Sequence, residues 1–286
     1  MTDLPAGLSA LSDRYDVLLC DVWGVIHNGV ESFPEACQAL VNWRAERGPV
    51  ILISNSPRPS DAVIEQLDRL GVPREAWSAF VTSGDATRVL LQERAPGPAW
   101  IVGPERDFTL YEGLGLETAG PDAAAFVSVT GMVDDENEAP SDYLDRLAIA
   151  AERGLTLICA NPDRVVQRGD RLIYCGGSLA DLYETLGGEV LMAGKPYAPI
   201  YDLALAEAEK LTGQPVDRAR VLCIGDGVIT DVKGAHDQAL ACLFIAKGIH
   251  GEAALGADGK LDHGKVKDLL AAERLGAAHA MADLVW

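Results

Sequence analysis

The sequence predicts a parallel α/β protein, and three observations carry that expectation. Short, continuously apolar runs recur along all 286 residues, each stopping at or within two residues of Gly, Asn or Asp. Longer amphipathic segments separate the runs. The runs themselves lack the polar–apolar alternation of a half-exposed sheet, so their strands read as buried on both faces, as in a parallel sheet covered by helices.

In chain order the apolar runs are YDVLLC, PVILIS, AWIVG, AFVSVT, LTLICA, VLMAG, RVLCIG and ACLFIA. Helix-like segments lie at 34–47, 60–70, 141–153, 198–211 and 231–238. About eight strands fit either one broad sheet or two sheets in two domains. VDDENEAPSD (133–142) reads as an acidic surface loop leading into a helix. GIHGEAALGADGKLDHG (248–264) is polar and glycine-rich, so it reads as a mobile, solvated connection. No internal repeat or low-complexity linker interrupts the pattern.

Composition narrows the function classes. The 43 acidic residues against 24 basic ones give a net charge of -19, which excludes a nucleic-acid-binding surface. An anionic substrate would need a local cation to offset that field. The six cysteines form no C-x-x-C pair and sit mostly in or beside apolar runs, so they read as small buried hydrophobes of a reducing compartment, not zinc ligands. The N-terminal stretch has no basic region followed by an apolar one, and no run approaches membrane-spanning length. A cytoplasmic protein that binds neither membrane nor nucleic acid is the expectation.

Three of the runs deliver oxygen donors at their ends. VLLC delivers Asp21, VILI delivers Ser54 with Asn55 and Ser56, and VLCIG delivers Asp226, with Asp231 five residues later. Ligands of open parallel sheets bind outside the carboxyl ends of the strands, so these groups converge if the three strands are neighbours. Clustered carboxylates repel one another unless a hard cation lies among them, and oxygen donors without His or Cys favour magnesium. AGKP adds Lys195, a point charge able to neutralise the cluster and hold a phosphoryl oxygen. A carboxylate nucleophile, magnesium, a hydroxyl and a lysine together suit phosphoryl transfer. Each piece alone has a plainer reading: a strand-end aspartate or Ser-Asn-Ser commonly caps the next helix. GDGVITD lacks the ligand spacing of a calcium loop, and GEVLMAGKP lacks the first glycine and the Ser/Thr of a P-loop.

DVWGV, LISNS, GKP and GDGVITD, in that order, resemble the four motifs of the haloacid-dehalogenase-like hydrolase superfamily. The long insertion between the second and third resembles the class IIA branch of NagD-like and p-nitrophenyl phosphatases. TSGDATRVLL, ANPD, CGGSLADLYE and GKPYAPIYDLAL extend the likeness over roughly 16–248. The resemblance implies a Rossmann-like core from about 1–82 and 193–286, with an inserted α/β cap at 83–192. It implies a phosphomonoester hydrolase acting on a small phosphorylated metabolite, of the sugar or nucleotide phosphate class. Asp21 would be the nucleophile that forms an aspartyl-phosphate, with Ser54, Asn55 and Lys195 holding the phosphoryl group. Mg2+ would be bound by Asp21, the backbone carbonyl of Trp23, Asp226 and Asp231. Cap residues around Asn161, Asp163, Gly177 and Ser178 would select the substrate, and two copies could pair through the cap.

One position departs from the family pattern. Phosphatases of the superfamily carry a second aspartate two residues after the nucleophile, which moves the proton; here that residue is Trp23. Indole is no acid or base near neutral pH, and such help is worth about 10²–10⁴-fold in rate. Three readings follow: a phosphatase with another proton carrier (His27 is nearest) or an undemanding substrate, a hydrolase of another bond, or a ligand binder. Retention of Asp21, Ser54, Lys195, Asp226 and Asp231 favours the first.

Overall fold

The computed structural model describes residues 2–168 and 171–286. Its strands are β1 (Val17–Asp21), β2 (Val50–Ser54), β3 (Ala79–Thr82), β4 (Ala99–Val102), β5 (Phe126–Val129), β6 (Thr156–Cys159), β7 (Val165–Arg168), β8 (Arg171–Tyr174), β9 (Glu189–Met192), β10 (Val221–Gly225), β11 (Ala241–Ile245) and β12 (His279–Met281). Its α-helices are α1 (Pro34–Glu46), α2 (Ser60–Arg69), α3 (Ser83–Gln92), α4 (Leu144–Glu152), α5 (Gly176–Thr185), α6 (Ala198–Thr212), α7 (Lys233–Asp237), α8 (Gly251–Ala254) and α9 (His263–Ala272). The chain divides into two compact units, one of Met1–Ser54, Ile64–Val81 and Lys195–Trp286, the other of Asn55–Val63 and Thr82–Gly194.

The first unit is built on a six-stranded sheet in the order β12-β11-β10-β1-β2-β3. Pairing from β12 through β2 is parallel throughout. Every residue of β1, β2 and β10 is buried, which is why these strands read as unbroken apolar runs. From β1 the chain fills the sheet towards β2 and β3; after its excursion it fills the other side through β10, β11 and β12. The order therefore reverses between β1 and β10, and such a switch point opens a crevice at the carboxyl ends of the strands. The local chemistry supports the covering helices. Pro34 opens α1 in the first turn, where its missing N–H costs nothing, and Gly213 at φ +70° closes α6 in the left-handed region.

The second unit holds a four-stranded parallel sheet, β4-β5-β6-β9, and an antiparallel hairpin, β7-β8. Its core gathers Trp100, Val127, Val129, Tyr143, Leu157, Leu179 and Tyr183, with a second cluster of Leu91, Leu110, Phe126 and Ile158. Tyr183 shows how a large polar aromatic is accommodated there: its hydroxyl donates to the Leu155 carbonyl at 2.6 Å.

All eight apolar runs form strands, in two sheets. The structure adds elements that periodicity did not reveal. Helix α3 is set by a reciprocal cap, with Asp85 N donating to Thr82 Oγ1 at 3.0 Å and Thr82 N to Asp85 Oδ2 at 2.9 Å. Strand β12 is three residues long, too short to display a period. The 248–264 stretch is not a bare connection: it forms α8, buries Ala254 and pairs Leu255 with Leu261. The helix expected at 231–238 begins as a π-helical turn over Val228–Val232 before α7.

Candidate active site

The reversal of strand order places the site residues of the first unit. Register pairs Cys20 with Ile224 and Asp21 with Ile53, so Asp21, Ser54 and Asp226 leave three adjacent strands at one level of the sheet. Asp231 comes from the π-helical turn that follows β10, where Asp231 N and Val232 N both bond to the Gly227 carbonyl, at 2.9 and 3.0 Å. A wider turn of this kind turns a side chain where a regular helix would not, and π turns are frequent at functional sites.

Four of these groups meet. Lys195 Nζ donates to Asp21 Oδ1 at 2.5 Å and to Asp231 Oδ1 at 2.7 Å, and the ammonium is 4% exposed. Oxygens of Asp21, Asp226 and Asp231 all lie within 4.8 Å of one another, and the three residues are buried. Asp231 Oδ2 accepts from Gly227 N at 3.0 Å, and Asp226 Oδ2 accepts from Ile249 N at 2.7 Å. Ser54 is buried at the end of β2.

The electrostatics follow from that crowding. Burial raises the Asp21 carboxyl well above the usual range, the Asp231 charge adds to the rise, and Lys195 opposes it. Burial and Asp231 push Asp226 up to about 6. For Lys195, burial alone would lower the pKa, but the Asp21 and Asp231 charges outweigh it and hold the group above its ordinary value. With all three carboxyls ionised the set would carry two more negative charges than its one ammonium balances, which adds to burial in raising Asp21 and Asp226. That excess equals the charge of one divalent cation, and the donors are the hard oxygens such a cation prefers. The residues present fit that group. The turn after Asp21 fits as well: Gly24 N bonds to His27 O, while Ile26 N and His27 N bond to Val22 O, so these bonds pass around the Trp23 carbonyl.

Two glycines that sequence reasoning overlooked shape the Asp226 carboxylate. A Cβ on Gly24, at φ +76°, would lie 2.0 Å from Asp226 Oδ2, and one on Gly248 would lie equally close. Gly24 stands inside the first motif, so its signal was a glycine between two apolar residues. Gly248 and Ile249 had no local signal, because their role comes from the loop that follows β11.

Trp23 is 38% exposed. Its indole packs on the backbone of Gly29, where a Cβ would meet Cη2 at 2.2 Å, and meets the His27 ring edge-to-face at 5.2 Å between centroids. His27 is only 1% exposed, its Nδ1 accepts from Gly29 N at 3.0 Å, and burial lowers its pKa to about 4. A histidine so disposed is neutral near pH 7 and holds the Trp23 turn; it is poorly suited to deliver protons.

The remaining expected residues lie in the second unit. Asn55 Nδ2 donates to Asp163 Oδ1 at 2.9 Å, so this amide is engaged with a carboxylate. Asn161 Oδ1 accepts from Asp163 N at 3.2 Å. Gly177 packs at the start of α5, where a Cβ would lie 2.2 Å from the Pro162 carbonyl oxygen, and its N–H donates to the Asp163 carbonyl at 3.1 Å. Ser178 Oγ donates to the Cys175 carbonyl at 2.6 Å. Hydrogen bonds thus join Asn161, Asp163 and Gly177, while Ser178 Oγ bonds to the Cys175 and Arg164 carbonyls.

Comparison with known proteins agrees with this arrangement. Residues 18–117 match a haloacid dehalogenase-like hydrolase family model, and residues 192–272 match a second, HAD-hydrolase-like one. A crystal structure of a haloacid dehalogenase-like family hydrolase from Brucella suis 1330 is 46% identical, with a TM-score of 0.86, over 99% of this chain and 100% of that one. The 5'-nucleotidase YutF of Bacillus subtilis is 24% identical over 82% of this chain and 88% of its own. The structure of a glycerol phosphate phosphatase from Mycobacterium tuberculosis, in complex with magnesium, is 26% identical, with a TM-score of 0.66, over 86% of this chain and 73% of that one. With four motif groups gathered at the switch point of its sheet, the chain belongs to the haloacid dehalogenase-like hydrolase family, in its class IIA branch.

Proposed function

We propose that the protein is a magnesium-dependent phosphomonoester hydrolase that acts through an aspartyl-phosphate on a small phosphorylated metabolite. The observation that carries this reading is the buried set of Asp21, Asp226, Asp231 and Lys195, with its excess of two negative charges when all are ionised. A structural cluster would not concentrate uncompensated charge at a strand end, whereas a site for a divalent cation and a phosphate needs it.

In this reading an Asp21 carboxylate oxygen attacks phosphorus, the ester oxygen departs with its electron pair, and water later cleaves the acyl-phosphate bond to regenerate the carboxylate. Lys195 holds Asp21 Oδ1, favours the ionised form of the nucleophile against burial and presents a cation to the phosphoryl oxygens. Ser54 donates a hydrogen bond to the phosphoryl group. Asp226 and Asp231, with Asp21 and the Trp23 carbonyl, hold the cation; when bound, it supplies neutralisation of the charge developing on phosphorus. Relatives named as a 5'-nucleotidase and a glycerol phosphate phosphatase support a small phosphate ester as substrate.

The leaving oxygen receives no proton from residue 23, because indole has none to give near neutral pH. One observation therefore favours a second reading, a catalytically weakened protein or hydrolase of another bond: the half-exposed Trp23 beside a neutral His27. The experiment that separates them is magnesium-dependent phosphate release from p-nitrophenyl phosphate and a panel of sugar and nucleotide monophosphates, with Asp21→Asn as control. Activity that vanishes in a folded Asp21→Asn protein supports the covalent phosphatase. Activity that survives at the wild-type level in that variant refutes it.

A further inference from the structure

Beside the charged cluster, the first unit breaks two local rules at one point. Tyr201, near the start of α6, is fully buried, and among the described residues its hydroxyl has no hydrogen-bond partner. Buried polar groups are almost always paired, so an orphan hydroxyl calls for an explanation. It lies against Gly234 of α7: a Cβ there would meet the phenol oxygen at 2.0 Å and Cζ at 2.7 Å. Glycine inside a helix is itself unfavourable relative to alanine. Tyr201→Phe combined with Gly234→Ala would fill about the same space and break neither rule. Where a chain keeps such a pair of local violations, a functional site is the usual reason.

What the contact serves follows from where Gly234 stands. It comes three residues after Asp231, so the two share one turn of the helix that grows out of the π-helical segment. Asp231 has little freedom of its own. A Cβ on Gly225 would meet its Cβ at 2.3 Å and its Cγ at 2.2 Å. Its Oδ2 accepts from Gly227 N and its Oδ1 from Lys195. The carboxylate therefore moves with the backbone of its turn. Lys195 and Tyr201 stand six residues apart on one continuous segment, which holds that turn at two places. Lys195 holds the carboxylate, and Tyr201 holds the backbone at Gly234.

Burial raises the phenol well above its ordinary value, and the nearby Asp231 charge adds to the rise, so Tyr201 stays an uncharged O–H. It adds no charge to the cluster and acts through volume and position. We propose that Tyr201 is a positioning residue for the cation site: its hydroxyl, seated on Gly234, fixes where the turn that presents Asp231 stands. The inference rests on the reading of Asp21, Asp226 and Asp231 as ligands of a divalent cation.

The test is magnesium binding by calorimetry, with urea unfolding in EDTA, on the full chain. It compares wild type, Tyr201→Phe, Gly234→Ala and the double variant. Tyr201→Phe removes only an unpaired hydroxyl, so it should fold and be at least as stable as wild type in EDTA. Its magnesium Kd should still rise about tenfold, the usual cost of losing a group that orients a ligand. Gly234→Ala drives a methyl into the hydroxyl and should weaken binding by about as much. In the double variant the methyl takes the space that the hydroxyl vacates, so Kd should return to within about threefold of wild type. A purely structural contact would move the urea midpoints and leave Kd unchanged. An unchanged Kd in folded Tyr201→Phe overturns the proposal, as does a double variant that binds no better than the weaker single one. Wild-type protein that binds no magnesium is a distinct failure: it removes the cation reading, and the inference falls with it.

Discussion

Replacing Lys195 by methionine keeps the length of the side chain and removes its charge, which isolates what the ammonium does. In the native protein that group serves two carboxylates at once, at 2.5 Å from Asp21 and 2.7 Å from Asp231, out of contact with water. Removing one member of a buried pair costs about 3–5 kcal/mol, because the charge left behind has lost its compensation. Here two charges lose it together and a third, Asp226, stands within 4.8 Å of both, so the loss belongs at the upper end, about 5 kcal/mol. That is as large as the whole stability of many domains, ~5–15 kcal/mol. The assay is urea unfolding of wild type and Lys195→Met, each in EDTA and in excess magnesium. In EDTA the variant should lose several kcal/mol. Magnesium at a hundred times its Kd adds about 2.7 kcal/mol by mass action, and it should recover part of the variant's loss. A Lys195→Met protein within about 1 kcal/mol of wild type in EDTA would refute the charge argument. So would midpoints that ignore magnesium in both proteins.

The other predictions concern the surroundings of that cluster. Gly248→Ala places a methyl 2.0 Å from Asp226 Oδ2 and 2.4 Å from its Cβ, so the carboxylate must move. Calorimetry should show magnesium affinity lower by about tenfold or more, and an unchanged Kd would mean that Asp226 is not a ligand. Trp23→Asp restores a proton carrier beside the nucleophile and should speed hydrolysis of alkyl phosphates by about 10²-fold; slower turnover would make the indole part of the substrate pocket. His27 should make the fold acid-sensitive. Its pKa is about 4 in the native state against 6.5 ordinarily, so its contribution is complete above pH 6.5 and is lost as pH falls through 4. The loss is roughly 3 kcal/mol, and urea midpoints of wild type and His27→Gln across that window should converge as pH falls. Parallel curves would contradict the assignment.

Much of this molecule was legible because parallel strands are apolar throughout and stop abruptly. The eight runs became strands, and the three that end in oxygen donors are neighbours, as convergence at one edge requires. What escaped had no local signature. The hairpin β7-β8 shows no clean period: in β8, Ile173 is buried while Arg171, Leu172 and Tyr174 are exposed. Helix α3 owes its start to a two-residue reciprocal cap, not to an apolar stripe. At the site, Lys195 and the aspartates could be named from type and position, but the backbone of Gly248 and Ile249 reaches Asp226 only through tertiary folding. Asn55 could be named from its place beside Ser54, but its amide bond to Asp163 joins residues 108 apart and arises only on folding.

Trp23 gains meaning when its turn is considered as a unit. The backbone bonds from Gly24, Ile26 and His27 wind the chain tightly just after Asp21, and Gly24, at φ +76°, has no Cβ to meet Asp226. Gly29, at φ +84°, supplies the flat seat on which the indole rests, and His27 braces it from the side. The indole is seated on Gly29 and braced by a buried histidine, so it is packed into the turn. The turn leaves Trp23 38% exposed. In the proposed hydrolase reading, a charged cluster with a seated aromatic at residue 23 places a greater demand on the leaving group. That combination makes dependence on leaving-group basicity the quantity to measure, since a steep dependence in wild type that flattens in Trp23→Asp would tie the indole to the chemistry.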